Sequence, residues 1–145
     1  MRRSIILGLA ALAVAAVVPG SLQAQNTTPV AVQLPTGDYL VAVKPTDSLP
    51  EGMVGDWQIV FQTGGVYQVV RNGNVRVLGE FRTVADTVYL VDKSGAMACG
   101  ATAGPSTYVW KGEPDGTLTL IAVKDECRGR QRLMTLRPLV RVKTQ

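Results

Sequence analysis

The sequence predicts an all-β protein: a single antiparallel, up-and-down β-barrel of about eight strands with one disulfide. Short apolar runs recur about every ten residues, and tight-turn residues separate them. Several runs alternate apolar and polar side chains, which is typical of half-buried antiparallel strands. A meander of eight strands removes its edges by closing on itself, so a closed barrel is favoured over an open sandwich.

The strand predictions follow from this alternation. In "DWQIVFQ" the side chains of Trp57, Ile59 and Phe61 share one face. The dipeptide Asn72-Gly73 separates two alternating runs and predicts a hairpin with a type I′ turn. No helix is expected beyond the first 24 residues. The predicted strands are 37–44, 56–62, 66–71, 75–82, 86–92, 107–111, 117–124 and one or two within 131–143.

The first 24 residues have the features of a secretory signal peptide. Arg2 and Arg3 precede the apolar stretch "IILGLAALAVAAVV", and a small residue, Ala24, precedes the expected cleavage before Gln25. The alternative is an uncleaved anchor. We expect an exported protein, periplasmic or extracellular, with a flexible lead over 25–36, a barrel domain over 37–145 and no transmembrane segment in the mature chain.

Composition limits the chemistry of the mature chain. Without Arg2 and Arg3, the 15 basic residues become 13 against 11 acidic ones, a net charge of about +2. The chain has no histidine, which excludes Ser-His-Asp and Cys-His nucleophile activation and HExxH zinc chemistry. We therefore expect no enzyme activity, no metal and no cofactor, although a histidine-free enzyme stays open as an alternative.

The two cysteines predict one disulfide. In an exported chain, Cys99 and Cys127 are expected to pair, with a stabilisation of about 3–4 kcal/mol from the loop they close. Free thiols or zinc ligands are the alternative, but the CxxC spacing is missing. The stretch "KDECRGRQR" around Cys127 is expected to be structural, with Asp125 pairing Arg130. The alternative is that Arg128, Arg130 and Arg132 bind an anionic ligand.

Two resemblances support a barrel. Gly55-Asp56-Trp57 is similar to the GxW motif of lipocalins, in which an arginine after the last strand lies over the tryptophan. The resemblance implies that role for Arg130 or Arg132. The chain also resembles a group of small exported bacterial proteins whose shared pattern implies a fold and no particular activity. That pattern is Gly37-x-Tyr39, Leu49-Pro50, Gly65-x-Tyr67, Cys99, Tyr108-x-Trp110 and Asp125-x-Cys127-x-x-Arg130.

The functional expectation is a non-enzymatic barrel that binds a small apolar or amphipathic molecule. Aromatic side chains on alternating strands either form the core or line a binding cavity. The predicted ligand-binding residues are Trp57, Phe61, Tyr67, Phe81, Tyr108, Trp110 and Arg130.

The alternative function is a protein-binding module, such as an inhibitor of a secreted protease or an envelope interaction protein. Its architecture resembles that of bacterial inhibitors of secreted metalloproteases, which insert a free N-terminal segment into the enzyme. The lead "QNTTPVAVQLP" is the segment implied here. Nucleic acid is not an expected partner, because the chain has no RNP-like motif and is predicted to be exported.

Overall fold

The structure, a computed structural model, describes residues 33–143. The predicted signal peptide, and residues 25–32 of the predicted lead, lie outside the described residues. Eight strands and one α-helix make up the fold. They are β1 (Gly37–Val43), β2 (Gly55–Gln62), β3 (Val66–Arg71), β4 (Asn74–Val84), β5 (Thr87–Ser94), β6 (Ser106–Gly112), β7 (Leu118–Lys124), α1 (Arg128–Thr135) and β8 (Val140–Arg141).

The strands form one antiparallel meander that curls into a nearly closed barrel. Strands β1 to β7 pair with their neighbours in chain order, and β8 lies beside β1 at the end of the sheet. Leu40 pairs with Val140, and just before it Leu139 exchanges two backbone hydrogen bonds of 2.8 and 2.9 Å with Leu118 of β7. The short last strand therefore joins the two edges, and the predicted up-and-down barrel is confirmed.

Local sequence signals explain most of the strands. Trp57, Ile59 and Phe61 are buried on one face of β2, as their alternation predicts. At the β3–β4 turn, Asn72 and Gly73 have φ angles of 51° and 72°, the positive values that a type I′ turn needs. Both predictions are confirmed.

One prediction near the C-terminus is wrong. Residues 128–135 form the helix α1, although a strand was expected from residue 131 and no helix was expected at all. Arg130, Leu133 and Met134 are the buried residues of α1, and their i, i+3, i+4 spacing is that of one helix face. Only Val140 and Arg141, beyond Pro138, form the strand that was expected from this region.

The interior of the barrel is filled mainly by side chains. Tyr39, Ile59, Tyr67, Val88 and Leu90 are among the residues with no exposed surface. Gly79 of β4 belongs to this packing, because a Cβ there would collide with the ring of Tyr67. The absence of a side chain at this position makes room for an aromatic ring of the protein itself.

The two ends of the barrel differ. The helix end carries α1, the disulfide and the loops over 44–54 and 95–105. At the other end, which we call the lead end, Leu34 is buried in the core, and residues 33–36 line an open pocket together with the 62–65 turn. The hydroxyl of Tyr39 donates a 2.8 Å hydrogen bond to the carbonyl of Pro35 and holds this segment in place. Among residues 33–143, no helix has the length and apolar character needed to span a membrane.

Candidate functional site

A cavity of about 60 Å³ lies at the helix end, beneath α1. Apolar side chains from β2, β3, β4 and α1 form most of its wall. Met97, Cys127 and Gly129 also line it and are at least partly exposed, so the mouth of the cavity lies between the 95–99 loop and the start of α1. The lining residues are Met53, Trp57, Tyr67, Val69, Val77, Asp92, Met97, Cys127, Gly129, Arg130, Leu133 and Met134.

Three of the twelve lining residues are methionines, and we call this site the methionine cavity. The chain has four methionines, and all except Met1 line it. Met134 and Met53 are buried, whereas Met97 is 42% exposed at the mouth. Methionine has a flexible, unbranched side chain that adapts to irregular apolar shapes. The wall therefore combines apolar character with the ability to change shape.

A buried ionic cluster forms one side of the cavity. The Arg130 guanidinium donates hydrogen bonds of 2.9 and 2.8 Å to the two oxygens of Asp125 and one of 2.8 Å to Asp92. The three side chains are at most 5% exposed. The predicted pair between Arg130 and Asp125 is confirmed, and Asp92 is a second carboxylate that the sequence interpretation did not include.

Asp92 and Asp125 each accept hydrogen bonds from the same three kinds of donor: the Arg130 guanidinium, a tyrosine hydroxyl and the backbone N–H of a cysteine. Asp92 accepts a hydrogen bond from the Tyr67 hydroxyl and one of 2.7 Å from the backbone N–H of Cys99. Asp125 accepts one from the Tyr108 hydroxyl and one of 2.8 Å from the backbone N–H of Cys127. Because buried polar groups are costly unless hydrogen-bonded, this matched set of partners is what makes the cluster tolerable in the core.

The cluster shifts the proton affinity of its members. Burial alone raises the pKa of Asp125, but the hydrogen bonds from Arg130 and Tyr108 outweigh it and hold this pKa below its usual value. Burial, with the nearby carboxylates, raises the pKa of Tyr67 and of Tyr108 well above 10. Tyr67 and Tyr108 therefore stay protonated at neutral pH, and Asp125 stays ionised.

The disulfide ties the two sides of the cavity mouth together. Cys99 and Cys127 are bonded, with their Cα atoms 6.0 Å apart, as predicted. Met97 lies two residues before Cys99, and Gly129 lies two residues after Cys127. The cross-link therefore joins the loop and the helix at the edge of the cavity.

The structure brings three of the seven predicted ligand-binding residues together. Trp57, Tyr67 and Arg130 all line the methionine cavity. The other four, Phe61, Phe81, Tyr108 and Trp110, do not line it. Phe61 is buried and meets Phe81 edge-on with ring centroids 5.2 Å apart, and Tyr108 and Trp110 are also buried.

The lipocalin resemblance implied that Arg130 or Arg132 lies over Trp57, and this expectation is wrong. Arg71, at the end of β3, lies over this ring, with its guanidinium carbon 4.9 Å from the centroid. The indole N–H of Trp57 donates a 2.7 Å hydrogen bond to the carbonyl of Met53. Arg130 instead binds its two aspartates, and Arg132 is exposed on the outer side of α1.

Sequence reasoning missed Asp92 and the methionines. Asp92 is 38 residues from Arg130, and no local motif joins them. The methionines are spread over 81 positions between Met53 and Met134, and only the fold brings them together. The i, i+3, i+4 spacing of Arg130, Leu133 and Met134 was a usable signal, because it indicates one inward helix face.

The arrangement does not resemble an acid–base pair. Asp125 is buried against Arg130, whereas Glu126 is exposed near Lys124, 3.9 Å away. The two carboxylates therefore face different environments and do not act across one bond. Among the described residues, no group of three or more His, Cys, Asp or Glu side chains is placed to hold a metal ion.

The chain was compared with protein-family models, with curated proteins and with solved structures, and none of the three comparisons finds a match.

Proposed function

We propose that this protein is an exported, non-enzymatic binding protein that holds a small apolar or amphipathic molecule in the methionine cavity. The observation that carries the proposal is the wall of this cavity, where Met53, Met97 and Met134 meet Trp57. Binding sites for small molecules are concave and mostly apolar, with a few polar groups. The methionine cavity has this composition.

The size of the cavity limits the ligand. Typical drug-sized ligands occupy pockets of about 300–1,000 Å³, and an apolar cavity of about 150 Å³ is known to hold benzene. The methionine cavity, at about 60 Å³, suits a molecule of only a few heavy atoms. A longer ligand enters by displacing Met97, whose exposed side chain is free to adopt other rotamers.

The ionic cluster decides which end of an amphipathic ligand lies inside the cavity, because its hydrogen bonds are already made. The polar atoms of Asp92, Arg130 and Tyr67 already bond to each other, so they offer a ligand little additional hydrogen bonding. A polar end of the ligand is therefore placed at the mouth, near Gly129, where it stays hydrated. Its apolar end lies against Trp57 and Met134.

Gly129 provides a direct test of the site. Gly129 lines the cavity and a Cβ there meets no neighbouring side chain or strand within 4 Å, so Gly129→Phe adds a bulky ring at a lining position of the mouth. Gly129→Ala is the matched control, because it also removes a helix glycine but leaves the mouth open. The test uses residues 25–145 with methyl-labelled methionine and xenon, an apolar probe of apolar cavities.

The proposal predicts that xenon shifts the methyl signals of Met53, Met97 and Met134 in the wild type and in Gly129→Ala. In Gly129→Phe the shifts fall at least tenfold at equal xenon pressure. Unchanged methyl signals in the wild type would contradict the proposal. So would a Gly129→Phe variant that responds to xenon as the wild type does.

A protein-binding role is the second candidate, and the anchoring of residues 33–36 favours it. Burial of Leu34 and the bond from Tyr39 to Pro35 fix the base of the segment implied in protease inhibition. Deletion of residues 25–32 retains Leu34 and removes most of that segment. In this role, the deletion abolishes inhibition of a secreted metalloprotease and leaves xenon binding unchanged. Equal inhibition by the deleted and intact proteins would reject the role.

A further inference from the structure

We infer that the Cys99–Cys127 disulfide is a redox latch on the mouth of the methionine cavity, opened by a dithiol reductant. The claim that the disulfide regulates ligand exchange rests on the proposed function. The claim that it controls access to the cavity rests only on contacts within the protein. The bonded cysteines join the 95–99 loop to the start of α1. Cys127 itself lines the cavity.

The position of the cross-link gives it control of the mouth. The loop contributes Met97 to the cavity and the helix contributes Gly129, each two residues from a bonded cysteine. Movement of the loop away from the helix therefore requires the disulfide to break. The loop has further backbone bonds, from Met97 to Arg76 at 3.0 Å and from Ala98 to Gly95 at 3.1 Å, which lie before Cys99.

A second connection keeps the reduced protein folded. Arg130 of α1 binds Asp92 of β5 at 2.8 Å and Asp125 at 2.8 Å, and these bonds do not involve sulfur. The two edges of the sheet also meet without the disulfide, at the Leu118–Leu139 bridge. Loss of the disulfide therefore removes a covalent link across the mouth and leaves the loop held by hydrogen bonds, which include the one from the Cys99 N–H to Asp92. The ionic cluster still holds α1 on the barrel.

The sulfur atoms belong to residues that are partly exposed, as a latch requires. A thiolate of the dithiol attacks one cystine sulfur, and the other cysteine leaves as a thiolate. The second thiol of the reductant then displaces the first cysteine from the mixed disulfide. In total, two electrons and two protons pass from the dithiol to the cystine, which gives two cysteine thiols and an oxidised reductant.

The test measures access to the cavity without any ligand. Met134 has no exposed surface, whereas Met97 is 42% exposed. Hydrogen peroxide converts an accessible methionine thioether into its sulfoxide, so the oxidation rate at each methionine reports access to it. The Cys99→Ser/Cys127→Ser variant represents the open latch, because it has no thiol to react with peroxide. Mass spectrometry of peptides gives each rate, with Met97 as the internal reference.

The latch predicts that Met134 oxidises at least tenfold faster in the double serine variant, while the rate at Met97 changes less than twofold. Val88→Ala is the control for general destabilisation, because Val88 is buried in β5 and does not line the cavity. The two variants are compared at temperatures equally far below their unfolding midpoints. An unchanged Met134 rate overturns the latch, as does an equal rise in Val88→Ala.

Failure of the latch is distinguishable from failure of the proposed function. If xenon shifts the methionine signals but Met134 oxidation does not respond to the serine substitutions, the binding site stands and the latch is rejected. If Met134 oxidation responds but xenon does not bind, the disulfide covers a cavity that holds no small apolar molecule. The latch on access is then supported, and the proposed function is rejected.

Discussion

The two ends of the barrel are held by different kinds of interaction. At the lead end, the apolar side chain of Leu34 is buried in the core, and residues 33–36 line an open pocket together with the 62–65 turn. At the helix end, α1 is held by the buried ionic cluster of Arg130, Asp92 and Asp125 and by the disulfide. The methionine cavity lies at the helix end, beneath α1.

The two kinds of interaction differ in how precisely they position the groups that they join. A buried apolar side chain stabilises through burial and needs no exact geometry. A buried ion pair adds little net stability, because the cost of removing its charges from water offsets most of their attraction. Its hydrogen bonds nevertheless fix the positions of the groups that it joins. The helix end therefore holds α1 at a defined place over the cavity. This is why we place the proposed ligand site at the helix end.

Loss of Arg130 is expected to have the largest effect on stability. Arg130→Met leaves two buried carboxylates without their cation, and the free energy of unfolding falls by about 3–5 kcal/mol. Arg132→Met is the control, because Arg132 is exposed on the same helix and its loss changes stability by less than about 0.5 kcal/mol. Urea unfolding measures both. A loss below about 1 kcal/mol in Arg130→Met would show that the cluster does not hold the helix end.

Loss of Leu34 tests the lead end. Leu34→Ala removes a buried side chain and lowers the free energy of unfolding by about 2–3 kcal/mol. Leu40→Ala is the matched control, because Leu40 is 44% exposed and loses less buried surface. The xenon response of the three methionines stays unchanged in both variants. A weakened response in Leu34→Ala alone would show that the two ends are not independent.

The pH dependence of stability gives the smallest expected effects. The folded-state pKa of Asp125 is lowered, so its stabilisation is present above about pH 4 and is lost on further acidification. The pKa values of Tyr67 and Tyr108 are raised, so their contribution is present below about pH 10 and is lost as the pH rises further.

Thermal unfolding between about pH 3 and pH 11 measures both limits. Tyr67→Phe removes one raised pKa and makes the alkaline decline shallower. An alkaline decline of the same slope in Tyr67→Phe would exclude this hydroxyl as a source of the pH dependence.

The sequence predicts the barrel better than it predicts the site, for a physical reason. Strand alternation and the Asn72-Gly73 turn are local signals, and the pairing of the only two cysteines leaves no alternative partner. Residues 131–135 of α1 were predicted to belong to a strand, because the apolar residues within 131–143 were assigned to one or two strands divided by Pro138. The spacing of Arg130, Leu133 and Met134 is that of one helix face, which favours a helix instead.

The cavity depends on contacts between distant parts of the chain. Asp125 was predicted to bind Arg130 because the two are five residues apart, whereas Asp92 reaches the same guanidinium from 38 residues away. The three lining methionines come from a loop before β2, a loop after β5 and α1. No period or spacing in the sequence marks such a set.

Native mass spectrometry of the oxidised protein over residues 25–145 tests the central claim most directly. The account predicts that wild-type protein carries a small additional mass that leaves on collisional activation, and that Gly129→Phe, purified in the same way, carries none. The Gly129→Ala control retains the additional mass. A bare wild-type mass that matches the oxidised chain alone, or an equal additional mass on Gly129→Phe, would contradict the claim that the methionine cavity is a binding site.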